Sequence, residues 1–282
     1  MTTLFSLENR AALLTGGLSG YGWMIAEGLI EQGVSRVYVA DKEPFTPRTV
    51  DIDDYDKLEY SHEESILAEY QKDEKIRLEN IYKNIIPIQC DITTEEGREK
   101  LFCEISALEP NLNILINSSL YASENWDEVI KYNLEAPIKL TEKFLPLLKA
   151  STNPDEGTSI STEQIYGKVI NISTVDGINP PQISNFAFSS SNAGINHASK
   201  SFAVQYIRHK IVVSSITVGL FNTTPNEVNP ANRLQVTQRI PAKRLGHKDD
   251  IVAAITYLAS RAGDYCVGAH LVVDGGVSEI RG

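Results

Sequence analysis

The apolar run Ala11-Ala12-Leu13-Leu14-Thr15 passes directly into Gly16-Gly17-Leu18-Ser19-Gly20-Tyr21-Gly22, and an amphipathic stretch from Tyr21 to Gln32 follows. Glycines between a strand and a helix let the backbone approach a pyrophosphate, while the helix start behind them offers free N–H groups and partial positive charge to hold it. The flanking strand and helix separate this pattern from an ordinary glycine turn. The turn therefore predicts a nucleotide-binding α/β fold, with Gly16, Ser19, Gly20, Tyr21 and Gly22 against the ligand.

The remaining chain repeats the same alternation. Strand-like runs recur at Val37–Ala40, Ile85–Gln89, Ile114–Ile116, Val169–Ile172, Ile211–Val218 and Leu271–Val273. Helical periodicity fills the gaps at Glu95–Leu108, Trp126–Lys149, Phe188–His209 and Asp249–Ser260. Seven strands alternating with helices predict one doubly wound parallel sheet, a Rossmann fold in a single domain over 1–282. Two stretches break the rhythm. Residues 44–84 are long for a connection and crowded with acids from Asp51 to Glu79, so they read as an acidic surface insertion with an added amphipathic helix over Glu63–Ile81. Residues 151–167 are rich in Ser, Thr, Asn and Gly and read as a polar loop.

Charge narrows the partners. The chain carries 26 Lys and Arg against 37 Asp and Glu, a net charge of −11 over 282 residues. Such a surface repels phosphate backbones and anionic headgroups, which argues against nucleic acid and membrane surfaces. Cys90, Cys103 and Cys266 are odd in number, far apart and without a CxxC pair, so neither a disulfide framework nor a zinc site is expected. No histidine has a carboxylate or cysteine at ligand spacing, and no metal is expected. The expectation is a soluble, cytoplasmic protein.

Asp41 ends the second strand, where a carboxylate accepts hydrogen bonds from an adenosine ribose and repels a 2′-phosphate, favouring NAD over NADP. Asp91 follows the third strand, in reach of an adenine amino group at the same crevice. With these residues the chain resembles the short-chain dehydrogenase/reductase family, near the β-ketoacyl reductases and the gluconate or rhamnolipid-type reductases. The resemblance rests on the TGxxxGxG turn, Trp126-Asp127-Glu128-Val129-Ile130-Lys131-Tyr132-Asn133, Val169-Ile170-Asn171-Ile172-Ser173-Thr174, Arg244-Leu245-Gly246-His247-Lys248-Asp249-Asp250 and Val273-Asp274-Gly275-Gly276, and it covers nearly the whole chain.

The resemblance implies NAD(H) as cofactor, with Asn117 and Thr223 among its contacts, and a homodimer or tetramer paired through the long helices, with Ile195, Ala198, Phe202 and Tyr206 as their apolar stripe. It also implies a catalytic tetrad of Asn, Ser, Tyr and Lys, in which Tyr exchanges the proton and Lys depresses its pKa and holds the nicotinamide ribose. Asn133 matches the Asn and Thr174 stands at the Ser. Phe188 stands at the Tyr and Asn192 at the Lys, in Phe188-Ser189-Ser190-Ser191-Asn192-Ala193-Gly194-Ile195. Phenylalanine has no proton to exchange, and asparagine has no charge with which to tune one. A literal YxxxK occurs at Tyr206 and Lys210, but 210 − 192 is 18 residues further along the helix, roughly 27 Å from the required place. Other departures are Leu120, which replaces a glycine of the family's NNAG after the fourth strand, the short run Tyr121–Asn125, and Tyr21 where a small aliphatic residue usually touches the cofactor. These departures predict a catalytically degenerate member kept for binding, assembly or regulation, with residual NAD(H) binding. The alternative is an NAD-dependent oxidoreductase acting on a carbonyl or hydroxyl with a non-standard proton donor.

Overall fold

Strand β1 (Ala11–Thr15) is buried along its whole length, with Ala12 and Leu14 packed to one face and Leu13 to the other. Burial on both faces demands neighbours on both sides and helices above and below. The computed structural model, which describes residues 4–18, 20–45, 76–152, 165–180, 185–222 and 230–279, supplies them. The further strands are β2 (Arg36–Asp41), β3 (Ile85–Gln89), β4 (Ile114–Asn117), β5 (Gly167–Thr174), β6 (Ile211–Val218) and β7 (His270–Val273). They lie in the order β3-β2-β1-β4-β5-β6-β7, all parallel, which is the doubly wound Rossmann arrangement. Pro87 sits in β3, which as an edge strand tolerates the missing N–H.

One core layer joins the sheet to α1 (Gly20–Glu31), α2 (described over 76–83) and α8 (Lys248–Ala259). The opposite layer joins it to α3 (Glu95–Leu108), α5 (Ala136–Ala150) and α6 (Phe186–Tyr206). Helix starts are fixed by side chains. The Thr94 hydroxyl accepts from Gly97 N at 3.0 Å, and the Asn185 carboxamide oxygen accepts from Phe188 N at 2.9 Å. At α8, His247 and Asp250 form a reciprocal capping box.

Several expectations need correction. The helix expected over Trp126–Lys149 is broken into α4 (Trp126–Ile130), a π turn (Lys131–Glu135) and α5. Pro137 has no N–H to give the Asn133 carbonyl, and the ladder widens there: Ala136 N donates to Lys131 O, five residues back. Helix α7 (Pro230–Arg239) forms where no helix was expected. Strand β5 extends past both ends of the expected Val169–Ile172. It includes Lys168, which is 1% exposed and paired with Asp264 at 2.7 Å. The stripe assigned to an intersubunit face is also revised, because Ile195 and Tyr206 are buried within this chain while Val204 and Phe186 are 79% and 77% exposed. Of the insertion and the polar loop, residues 46–75 and 153–164 lie outside the described residues. Among the described residues no helix is long and apolar enough to cross a membrane.

Candidate functional site

At the carboxyl end of β1 the chain turns through Gly16, whose φ of +66° suits glycine and whose absent side chain would stand 2.9 Å from the Ser119 backbone. A side chain on Gly22 would lie 2.1 Å from the Gly16 carbonyl oxygen. The turn is thus packed as tightly as backbone allows. Gly16 N donates to Ala40 O at 2.9 Å, and Ser118 N donates to the Thr15 hydroxyl at 3.1 Å, tying β1 to the ends of β2 and β4. Between them opens a cavity of about 370 Å³, at the point where the strand order reverses.

The glycine turn forms its floor through Gly16, Gly20, Tyr21 and Gly22, and Asp41, Lys42 and Glu43 close one side. Tyr121 and Tyr132 close another, with ring centroids 4.9 Å apart and the Lys42 ammonium 5.3 Å from each. Asp41 Oδ1 accepts from Glu43 N at 3.2 Å. Cys90 also lines the cavity, and burial pushes its thiol up to about 11, so it stays protonated. The Lys42, Tyr121 and Tyr132 cluster escaped sequence reasoning. Its one signal was an aromatic residue directly before Asn133.

The other anticipated nucleotide contacts divide. Asp91 Oδ1 accepts from Thr93 N at 2.9 Å and from the Thr93 hydroxyl at 2.7 Å, which fixes the approach to α3, and Asp91 does not line the cavity. Asn117 is turned into the sheet, where its Nδ2 donates to Asn171 Oδ1 at 2.7 Å and to the Thr141 hydroxyl at 3.3 Å. Ser118 and Ser119 line the cavity in its stead. Ser19 and Thr223 lie outside the described residues.

Beyond β4, the residues at the tetrad positions do come together. Asn192, 1% exposed, accepts from Thr174 N through Oδ1 at 2.8 Å and donates through Nδ2 to Phe188 O at 2.8 Å. Asn133 clasps the backbone of Tyr121, accepting from its N and donating to its O, both at 2.8 Å, and donates to the Ser191 hydroxyl at 3.2 Å. The Thr174 hydroxyl donates to Asp176 Oδ2 at 3.4 Å. Burial raises the Asp176 carboxyl above its usual range, and the Thr174 hydrogen bond opposes that rise. Every one of these polar side chains is committed to a protein partner, and none carries a positive charge. The distant YxxxK is no substitute: Tyr206 is buried and stacked on Phe202 at 5.3 Å, and Lys210 sits in the left-handed turn after the helix.

Tyr21 joins the two regions. Its hydroxyl donates to Gly219 O at 3.0 Å, across the crevice at the end of β6, and its ring meets Phe221 edge-on at 5.5 Å and 70°. Burial pushes this phenol up to about 12.

Comparison with known proteins agrees with this architecture. The family profile described as enoyl-(acyl carrier protein) reductase matches residues 61–278. The chain belongs to the short-chain dehydrogenase/reductase family. It is 28% identical over 288 residues to a rhamnolipids biosynthesis 3-oxoacyl-[acyl-carrier-protein] reductase of Pseudomonas aeruginosa, covering 98% of this chain and 99% of that protein. It is 27% identical over 316 residues to the short-chain dehydrogenase/reductase VdtF of Byssochlamys spectabilis, covering 98% and 94%. Among solved structures, the Pseudomonas aeruginosa RhlG/NADP active-site complex superposes with a TM-score of 0.77 at 27% identity, covering 99% of this chain and all (100%) of the other. A putative 2-deoxy-d-gluconate 3-dehydrogenase from Agrobacterium tumefaciens with bound NADP gives 0.71 at 26%, covering 99% and 100%. Within the family the chain falls in the ketoacyl-reductase branch.

Proposed function

We propose that this protein holds a nucleotide at the cavity beside β1 but does not carry out the proton transfer of its family, and that it serves binding, assembly or regulation. The observation that carries the reading is the state of Asn192. Its carboxamide is uncharged and engaged with Thr174 N and Phe188 O, and the ring of Phe188 offers no proton. A general acid/base contributes typically 10²–10⁴ in rate, so its loss leaves little turnover. Asp41, on the cavity wall, supports an unphosphorylated ribose and hence NAD(H) over NADP(H). The exposed Phe186 and Val204 on α6 support a homodimer or tetramer, whose mass light scattering reads directly.

The test is NADH-dependent reduction of a β-keto ester or diketone. Wild type is expected to be inactive, and Phe188→Tyr alone to gain little, because an unassisted phenol near pKa 10 is a sluggish acid at neutral pH. Phe188→Tyr with Asn192→Lys is expected to gain more than the sum of the single changes, since the ammonium lowers the phenol pKa. Wild type turning over as fast as the double variant would refute the proposal.

A further inference from the structure

The cavity stops short of what a full dinucleotide needs. A doubly wound sheet offers two mononucleotide halves, one over β1 to β3 and one over β4 to β6, on either side of the point where the strand order reverses. Among the described residues the cavity is lined from the ends of β1, β2, β3 and β4, with Tyr132 from the π turn, and by none from the ends of β5 and β6. The residues present fit an adenine nucleotide. There are glycines that bring backbone N–H groups to a phosphate, a carboxylate for a ribose, and the tyrosine faces on which a purine can stack. A second nucleoside on the far side would have to displace Tyr21.

Tyr21 is the obstacle. Its side chain leaves the first turn of α1, crosses the crevice and hydrogen-bonds the Gly219 carbonyl with its ring against Phe221. The far anchor is firm. Gly219 N donates to Val273 O at 3.0 Å, and a side chain on Gly219 would stand 2.6 Å from the Asp274 backbone. Phe221 is buried, and the chain around it is bridged to Gly246, with Gly246 N donating to Leu220 O at 2.9 Å and Asn222 N to Gly246 O at 3.1 Å. The phenol stays protonated throughout the physiological range, so this bridge does not release with pH.

We infer that the site takes the adenosine diphosphate moiety, as in ADP-ribose, and that Tyr21 closes the half of the crevice a nicotinamide nucleoside would enter. The inference rests on the nucleotide reading of the cavity and deepens it: the ligand class is adenine nucleotides with a free ribose, and nicotinamide adds no affinity. To seat there, a nicotinamide must break a hydroxyl–carbonyl hydrogen bond and an edge-to-face pair, which together oppose it by roughly tenfold or more.

Calorimetric titration of the full chain tests this with ADP-ribose and NAD+ as probes. Wild type is expected to bind the two within about threefold of each other. Tyr21→Ile, which removes the bridge, is expected to improve NAD+ over ADP-ribose by about tenfold, and Tyr21→Phe, which keeps the ring but not the hydroxyl, to move the ratio the same way by less. NAD+ binding more than about tenfold tighter than ADP-ribose in wild type overturns the inference and leaves the nucleotide reading intact, and that comparison needs no variant. No binding of ADP-ribose at millimolar concentration overturns the nucleotide reading, and the inference with it.

Discussion

Replacing Asn192 by Leu isolates what its carboxamide does. Leucine keeps asparagine's heavy-atom count and its branching at Cγ, so the polar groups are lost without a cavity, and the bulkier methyls can only add to the destabilisation. Thr174 N then has no acceptor at the closed β5–α6 junction, and an unsatisfied buried donor costs about 1–3 kcal/mol. The Phe188 carbonyl suffers less, because the Ser191 hydroxyl still donates to it at 2.9 Å, and its loss is about 0.5–1 kcal/mol. The sum is about 1.5–4 kcal/mol, which at roughly 2–4 °C per kcal/mol for a domain of this size lowers Tm by roughly 3–16 °C. Urea unfolding at fixed protein concentration, followed through the buried Trp23, is expected to show a lower midpoint with an unchanged slope. A variant within about 0.5 kcal/mol of wild type would refute the reasoning, because Asn192 would then be a bystander at the lysine position rather than the clasp between β5 and α6.

Two further outcomes follow from buried and exposed ion pairs. Asp264→Ala strands the Lys168 ammonium in the sheet and is expected to cost about 3–5 kcal/mol by urea unfolding, whereas replacing both partners with apolar residues of similar size is expected to be near neutral; equal losses would show that the pair itself carries the stability. The Asp250 carboxyl is held at about 2, chiefly by the two-pronged Arg244 at 2.6 and 2.9 Å. Its folded value lies below the unfolded one, so its contribution is present above about pH 4 and is lost as pH falls through about 2. Because its Arg244 partner is largely exposed to solvent, the pair is worth no more than about 1 kcal/mol. Arg244→Gln is expected to raise that carboxyl toward the ordinary aspartate range in an NMR titration, and a value still near 2 would assign the depression to the His247 backbone instead.

Three strands that open on an unbroken apolar run were legible to the residue: Ala11–Thr15, Ile85–Gln89 and Ile211–Val218. The longer extent of β5 was hidden because Lys168, Ser173 and Thr174 read as polar boundary residues. Their burial depends on Asp264, Asn196 and Asn192, each far along the chain. The break after Ile130 was foreshadowed by Pro137, which lies inside the continuous helix expected over Trp126–Lys149 and becomes an ordinary second residue only once α5 starts at Ala136. At the site, glycine spacing located the turn, and Phe188 and Asn192 were placed by motif alignment. Single positions could not show that Tyr21 reaches Gly219, 198 residues away, or that Lys42 meets Tyr121 and Tyr132, since those contacts exist only once the sheet order is set.

The pairing of β1 with β4 also governs how the molecule is made. Ala11 N donates to the Asn113 side chain and Asn113 N to Ala11 O, partners 102 positions apart, and Gly16 rests on Ser119. A nascent chain that has delivered β1, β2 and β3 therefore still lacks one flank of β1, and a long loop must close before that flank is covered. Until then the central strand presents an open hydrogen-bonding edge, the kind of surface that chaperones shield and that pairs wrongly between molecules. The cavity wall that includes Ser118 to Tyr121 arrives only with that closure. Nucleotide capture during synthesis would thus mark the moment the amino-terminal half ceases to be adhesive.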